Sequence, residues 1–256
     1  MEVLVYIVLM PFLFIFLFVM AYLFRKRKVK KILFSEFDEG EKDLEAREFF
    51  NRIFKLERLS KPFFYAQVIF LIIDTLFILF GGYKTYLEEV EFVKEFPSFS
   101  ISPLSSTLIK FMVPIIMWVL VFFLFIFAMI MKKKENKRIT EMLDNLENVK
   151  HLKFAKEDFL RSDRILETGV VGGDIKLGDR YLFSFYPVSI IPYIYIQKMK
   201  VKISRRGKNG RIYYLDIALK RPFQKIKIEF AKEDVTEKVR EFILERKKDL
   251  NEKIEY

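Results

Sequence analysis

Three blocks of the chain are apolar almost without interruption, and the remainder alternates. Residues 3–24 (VLVYIVLMPFLFIFLFVMAYLF), 63–82 (FFYAQVIFLIIDTLFILFGG) and 111–131 (FMVPIIMWVLVFFLFIFAMIM) run to about 20 residues each, which at ~1.5 Å rise per residue matches a ~30 Å hydrocarbon core. None keeps the polar face of a helix packed on a soluble core, so three transmembrane helices are predicted. In the loop at 25–62, Leu44, Phe49, Phe50, Ile53, Phe54, Leu56 and Leu59 recur at helical spacing, which predicts an amphipathic helix ending before Pro62. Such a helix either docks a partner or the bilayer surface, or packs against the chain's own folded domain. After the third block, Ile139, Met142, Leu143, Leu146 and Val149 keep the i, i+3, i+4, i+7 pattern, extending the helix as a stalk over 132–149.

From about residue 165 the period changes to two. The runs 180–185, 193–204, 211–220 and 224–230 alternate and are rich in Ile, Val, Tyr and Phe, predicting four strands of an antiparallel sheet. Gly172-Gly173-Asp174, Leu177-Gly178-Asp179 and Asn209-Gly210 are turn signals. At the end, Asp234 can cap a helix with Glu237 three residues on, and Val235, Val239, Phe242 and Ile243 give it an apolar stripe. The expected class is therefore a membrane protein with three transmembrane helices over 1–131 and an α+β domain over 150–256.

Charge gives the helices a direction. Arg25, Lys26, Arg27 and Lys28 open a segment, 25–62, with twelve Lys/Arg against eight Asp/Glu. Lys132, Lys133 and Lys134 follow the third block, whereas 83–110 holds Lys84, Lys94 and Lys110 against four Glu. Positive loops stay in the cytoplasm, so the N-terminus is expected outside, 83–110 as a short extracytoplasmic loop, and the C-terminal half inside. The first block lacks a basic n-region and an A-x-A-like cleavage site, and is expected to stay as an anchor. Residues 132–256 carry 30 Lys/Arg and 20 Asp/Glu, so +10 of the formal net charge of +11 lies there. A basic domain tethered to a bilayer meets anionic lipid first, at roughly 1 kcal/mol per Lys or Arg near the leaflet; nucleic acid is not an expected partner.

The tail resembles the bacterial pleckstrin-homology-like domains, in which a bent antiparallel sheet is closed by a C-terminal helix. The residues carrying the likeness are Leu177-Gly178-Asp179-Arg180-Tyr181-Leu182, Ile191-Pro192-Tyr193-Ile194-Tyr195-Ile196, the strands around 206–210 and the helix from Asp234. It covers about residues 165–250. Four strands are legible where that fold has seven, and the basic pattern by which eukaryotic relatives hold phosphoinositides is not present. The resemblance implies a small membrane protein of the bacterial cytoplasmic membrane with a PH-like cytoplasmic domain.

Candidate chemistry is sparse. Asp74 stands midway along the second apolar block, where a carboxyl costs about 2.5–3.5 kcal/mol to insert. No Lys, Arg or His lies in the three blocks, so it is expected protonated and hydrogen-bonded in the bundle or paired across an oligomer. His151 is the one histidine and there is no cysteine, so neither a zinc site nor a Ser-His-Asp arrangement is expected; it reads as an exposed linker residue. The Gly-rich 169–174 lacks phosphate-loop spacing and reads as a turn. Arg205, Arg206, Lys208 and Arg211 cluster in one hairpin, either a solvated turn or an anion site. These observations lead to a non-enzymatic protein without a cofactor, whose basic domain binds a protein partner or anionic headgroups. Of the two, strand or groove addition of a protein partner is preferred. Two alternatives are a transport or channel component with Asp74 in an oligomeric bundle, and an immunity-type membrane protein.

Overall fold

The computed structural model describes residues 2–54, 56–98, 101–170, 173–206, 210–223 and 225–252. They form two compact units, Met1–Arg25 with Ser60–Lys133, and Lys26–Leu59 with Lys134–Tyr256. Three helices, α1 (Glu2–Leu33), α4 (Leu56–Glu95) and α6 (Met112–Asn148), contribute residues to both. Each contains a stretch long and apolar enough to cross a membrane: Val8–Leu33, Ser60–Glu95 and Met112–Asn148.

In the first unit Met10 of α1, Phe70 of α4 and Val121 of α6 meet in a small core, joined by Phe14, Leu17, Phe77 and Met117. Large apolar side chains such as Phe12, Phe80 and Phe123 point outward, as expected where the solvent is hydrocarbon and packing rather than dehydration drives helix association. Gly81 lets α4 approach closely, since a Cβ there would lie 3.1 Å from the Phe111 ring. The helices outrun the apolar blocks because their charged ends contain no stop signal: α1 continues nine residues past Phe24, and α6 runs on to Asn148. The expected loop over 83–110 is largely helical instead. α4 continues to Glu95, and α5 (Pro103–Lys110) starts on a Ser102 side chain that accepts the Ser105 N–H at 3.2 Å. The predicted stop before Pro62 also fails. α3 (Ala46–Phe54) ends earlier, and Pro62 lies within α4, which gives up one backbone hydrogen bond there.

The second unit is built on two antiparallel sheets. β1 (Arg164–Leu166), β2 (Ile175–Leu177), β3 (Tyr181–Phe185) and β4 (Val188–Pro192) pair in sequence order, and so do β5 (Ile196–Arg206), β6 (Gly210–Leu219) and β7 (Ile226–Phe230). Among the described residues seven strands are thus formed, against the four expected. Residues 193–195, expected to begin a strand, make a 3-10 turn between the sheets. The helix α8 (Glu233–Glu252) lays Val239 and Ile243 on a core of Ile175, Leu182, Ile191, Leu215, Ile217, Ile228 and Phe230. Asp234 sits inside its first turn rather than at the cap, where a carboxylate still complements the helix dipole.

The other face of the four-stranded sheet has a core of its own. Tyr181, Phe183, Phe185, Val188 and Ile190 pack against Phe49, Phe50 and Phe54 of α3, Ile139, Leu143 and Leu146 of α6, and Phe159 of α7 (Leu152–Arg161). The amphipathic loop helix therefore covers the chain's own sheet, with Phe159 edge-on to Phe183 at 4.9 Å. The one-turn helix α2 (Glu39–Lys42) is tied to α3 by Glu41 and Arg52. The expected stalk is likewise no free rod. Arg138 donates to the Val188 carbonyl, Asn145 to that of Pro222, and the Ile190 N–H meets Met142 Sδ at 3.2 Å, so α6 covers the β4 edge. A covered edge is closed to strand addition.

Candidate anion-binding face

The three-stranded sheet buries one face only. Along β5, Met199 and Val201 turn toward the core under α8, while Lys198, Lys200 and Lys202 alternate onto the outer face. The register places Lys200 opposite Asp216 and Lys202 opposite Tyr214 on β6, and Lys227 and Glu229 of β7 opposite the same two residues. With Lys225 just before β7, the outer face holds five lysines and two carboxylates. Asp216 stands at its centre, 2.6 Å from Lys202 Nζ and 2.9 Å from Lys225 Nζ. Hydrogen bonds from these two ammonium groups hold its carboxyl below the usual range. Lys227 Nζ lies 3.5 Å over the Tyr214 ring. Lys198 and Lys200 are exposed and have no acidic partner among the described residues.

The hairpin carries the ladder beyond the core into solvent, where Ile203 and Arg205 follow Met199 and Val201 on the face opposite the lysines. β5 and β6 pair as far as Arg206 and Gly210, well beyond the strands' buried part. Arg205 and Arg211 stand directly opposite each other, both exposed, a like-charge pairing that disfavours the strand pair unless an anion relieves it. Ile203, on the same side of the ladder, is 55% exposed. Lys208 lies outside the described residues with Gly207 and Asn209, and so does the side chain of Arg206. Of the four expected hairpin residues, Arg205 and Arg211 are thus brought together. The five lysines went unremarked in the sequence, although the i, i+2, i+4 spacing in "KMKVK" and the "KIK" that follows announce one basic strand face.

The basic residues expected to set the topology fall into two groups. Lys26, Arg27 and Lys28 are exposed near the end of α1, and Lys30 pairs with Glu167 at 3.2 Å. Lys132 stands 5.2 Å from the Phe64 ring, and Lys133 and Lys134 are exposed. Arg25 is half-buried and makes a contact of its own. The α1 terminus itself is held by Lys176, which is 1% exposed: its ammonium donates to the Leu33 carbonyl at 2.8 Å and to Ser35 Oγ at 2.7 Å, 4.4 Å from the Phe159 ring. Helix-end carbonyls lack intrahelical donors, and a sheet lysine supplies one here. Burial pulls that ammonium down to about 8.

Asp74 is fully enclosed, and neither carboxylate oxygen has a hydrogen-bond partner. The neighbouring polar contacts bypass it, since the Trp118 indole N–H donates to Thr75 Oγ1 at 2.9 Å and that hydroxyl to the Leu71 carbonyl. The turn read at Leu177-Gly178-Asp179 has an unexpected support. Asp158 of α7 accepts the N–H groups of Asp179, Arg180 and Tyr181 at 2.8–2.9 Å. A Cβ on Gly178 would lie 2.1 Å from its Oδ2. Burial pushes the Asp158 carboxyl up while these amides pull it down, with burial the larger. Nothing in its sequence surroundings marks it. Of the Gly-rich turn, Val171 and Gly172 lie outside the described residues, while Gly169 takes φ +73°. His151 is not a linker residue: it is half-buried with Nδ1 2.6 Å from the Tyr181 hydroxyl.

Compared with family models, with curated proteins and with solved structures, the chain matches none.

Proposed function

We propose that this is a non-enzymatic, multi-pass protein of the bacterial cytoplasmic membrane. Its cytoplasmic domain is PH-like and binds anionic lipid headgroups through the outer face of β5–β7 and the β5–β6 hairpin. Four strands followed by three, with a closing C-terminal helix, support the PH-like reading. The observation that carries the ligand is a surplus of cations with no acidic partner among the described residues: Lys198 and Lys200 on the outer sheet face, and Arg205 and Arg211 on the opposite side of the protruding hairpin. The exposed Ile203, on the same side of the hairpin as Arg205 and Arg211, favours a bilayer over a purely aqueous polyanion, because an apolar side chain beside Arg suits the headgroup boundary. Each cation near an anionic leaflet contributes roughly 1 kcal/mol, so four or five acting together outweigh thermal motion several-fold. Covering of the β4 edge by α6 closes that one edge to strand addition by a protein partner.

The test uses the full chain in nanodiscs of zwitterionic or anionic lipid. Amide exchange in peptides from 196–206 and 210–219 should slow in anionic discs alone. The difference should vanish at high salt, where the screening length falls to about 3 Å, and in Lys198→Glu/Lys200→Glu. Equal exchange in both discs would remove the lipid function.

A further inference from the structure

A cleft of about 270 Å³ opens at the start of β3, lined in part by residues of α7 and α8 and separate from the lysines of the basic face. Its polar lining is His151, Arg180 and Tyr181, its apolar lining Phe154, Pro192, Ile194 and Leu250, and no carboxylate among the described residues lines it. Arg180 is fixed by its main chain. Its N–H donates to Asp158 Oδ2 at 2.9 Å, and its carbonyl accepts the Tyr193 N–H at 3.0 Å. Asp158 distributes its charge over three amides, so the guanidinium gains no counter-ion from it. Among the described residues that group has no carboxylate partner, and it lies 5.6 Å from the Phe154 ring centroid. An exposed Arg on a fixed main chain, with its fork unused, can receive an anion at the mouth of the cleft.

The second donor follows from the Tyr181–His151 contact at 2.6 Å. Burial raises the Tyr181 phenol well above its ordinary value, and burial together with Arg180 lowers the imidazole. The hydroxyl therefore keeps its proton beside a neutral ring, and in the tautomer in which it donates to Nδ1 rather than to the His151 carbonyl at 3.3 Å, Nε2 carries the ring N–H. One cation and one neutral donor among four apolar walls match a single negative charge on an apolar body. We propose that this cleft binds a small molecule bearing one carboxylate on an apolar body, with Arg180 gripping the carboxylate and His151 giving the second hydrogen bond.

Because His151 is the one histidine of the chain, its imidazole is a single-signal reporter. Full-length protein with nitrogen-15 histidine, in neutral micelles, is titrated with benzoate, with benzyl alcohol as its uncharged counterpart, and with inorganic phosphate. Benzoate should shift the His151 ring signals saturably in the millimolar range, and neither control should. Arg180→Gln should weaken benzoate at least about tenfold, the loss expected for a charge-assisted pair, while Lys200→Gln on the basic sheet face leaves it unchanged. The ligand-free His151 signal shows whether each variant keeps the Tyr181 contact. Should Arg180→Gln lose it, Ile194→Glu offers Arg180 an internal carboxylate and should abolish the benzoate shift. A shift that never saturates, that benzyl alcohol or phosphate reproduces, or that survives both substitutions overturns the site. Lipid binding by the sheet face is untouched by any of these outcomes.

Discussion

Lys176 shows how much one side chain decides in this molecule. A buried ammonium is tolerated because the carbonyl end of α1, the Ser35 hydroxyl and the Phe159 ring all face it. Its folded value, about 8, is lower than the ordinary 10.5, so the unfolded chain binds more protons between those two pH values. Stability must then rise with pH across that window, by up to about 3 kcal/mol, and the penalty is fully present below it. Thermal unfolding of the full chain in neutral micelles, compared with Lys176→Met, checks this: the variant should lack that part of the rise. At the β2–β3 turn the prediction is steric. Gly178→Ala drives a Cβ into Asp158, whose carboxylate holds three amides, and should cost about 3 kcal/mol or more; Asp158→Asn keeps the shape and should cost about 1–3 kcal/mol. Neither Lys176 nor Asp158 was legible in the sequence, because a buried charge is identified by what surrounds it and those surroundings come from residues 20 to 140 positions away.

Elements were legible where one periodicity had one cause. The three apolar helices read directly as unbroken apolar runs, and the long strands β5 and β6 and the apolar stripe of α8 each present a single buried face, so their patterns read directly too. β4, with "VSIIP" buried throughout, lies between two cores and shows no alternation, and β1 and β2 are three residues long, too short for a period. The amphipathic run before Pro62 was visible as a helix, but only the fold showed that Phe49, Phe50 and Phe54 form one wall of the sheet domain. Phe50→Ala should therefore cost about 3–5 kcal/mol, read as a lower melting temperature of the full chain. A fragment restricted to 132–256 lacks that wall and should expose Phe159 and Phe183, binding hydrophobic dyes that the full chain does not. The basic face was present in the spacing of Lys198, Lys200 and Lys202, yet strand alternation drew the eye to the apolar half of the same pattern.

At the scale of the whole molecule, the proposed function joins two facts: helices able to cross a membrane, and a surplus of +10 in residues 132–256. The proposed orientation predicts that Glu95→Cys reacts with a membrane-impermeant maleimide on intact cells, whereas a cysteine at position 203 reacts only after permeabilisation. The chain has no cysteine of its own, so either label reports one site. The same Ile203→Cys variant gives the most direct test of the central claim, that the hairpin and its sheet face engage an anionic bilayer. A spin label at that position, in nanodiscs, is read for its accessibility to oxygen, concentrated in lipid, against a water-soluble nickel complex. Lipid binding predicts that anionic discs shift the label toward oxygen and that high salt or Arg205→Glu/Arg211→Glu returns it to water. A label equally exposed to water in zwitterionic and anionic discs would contradict the account.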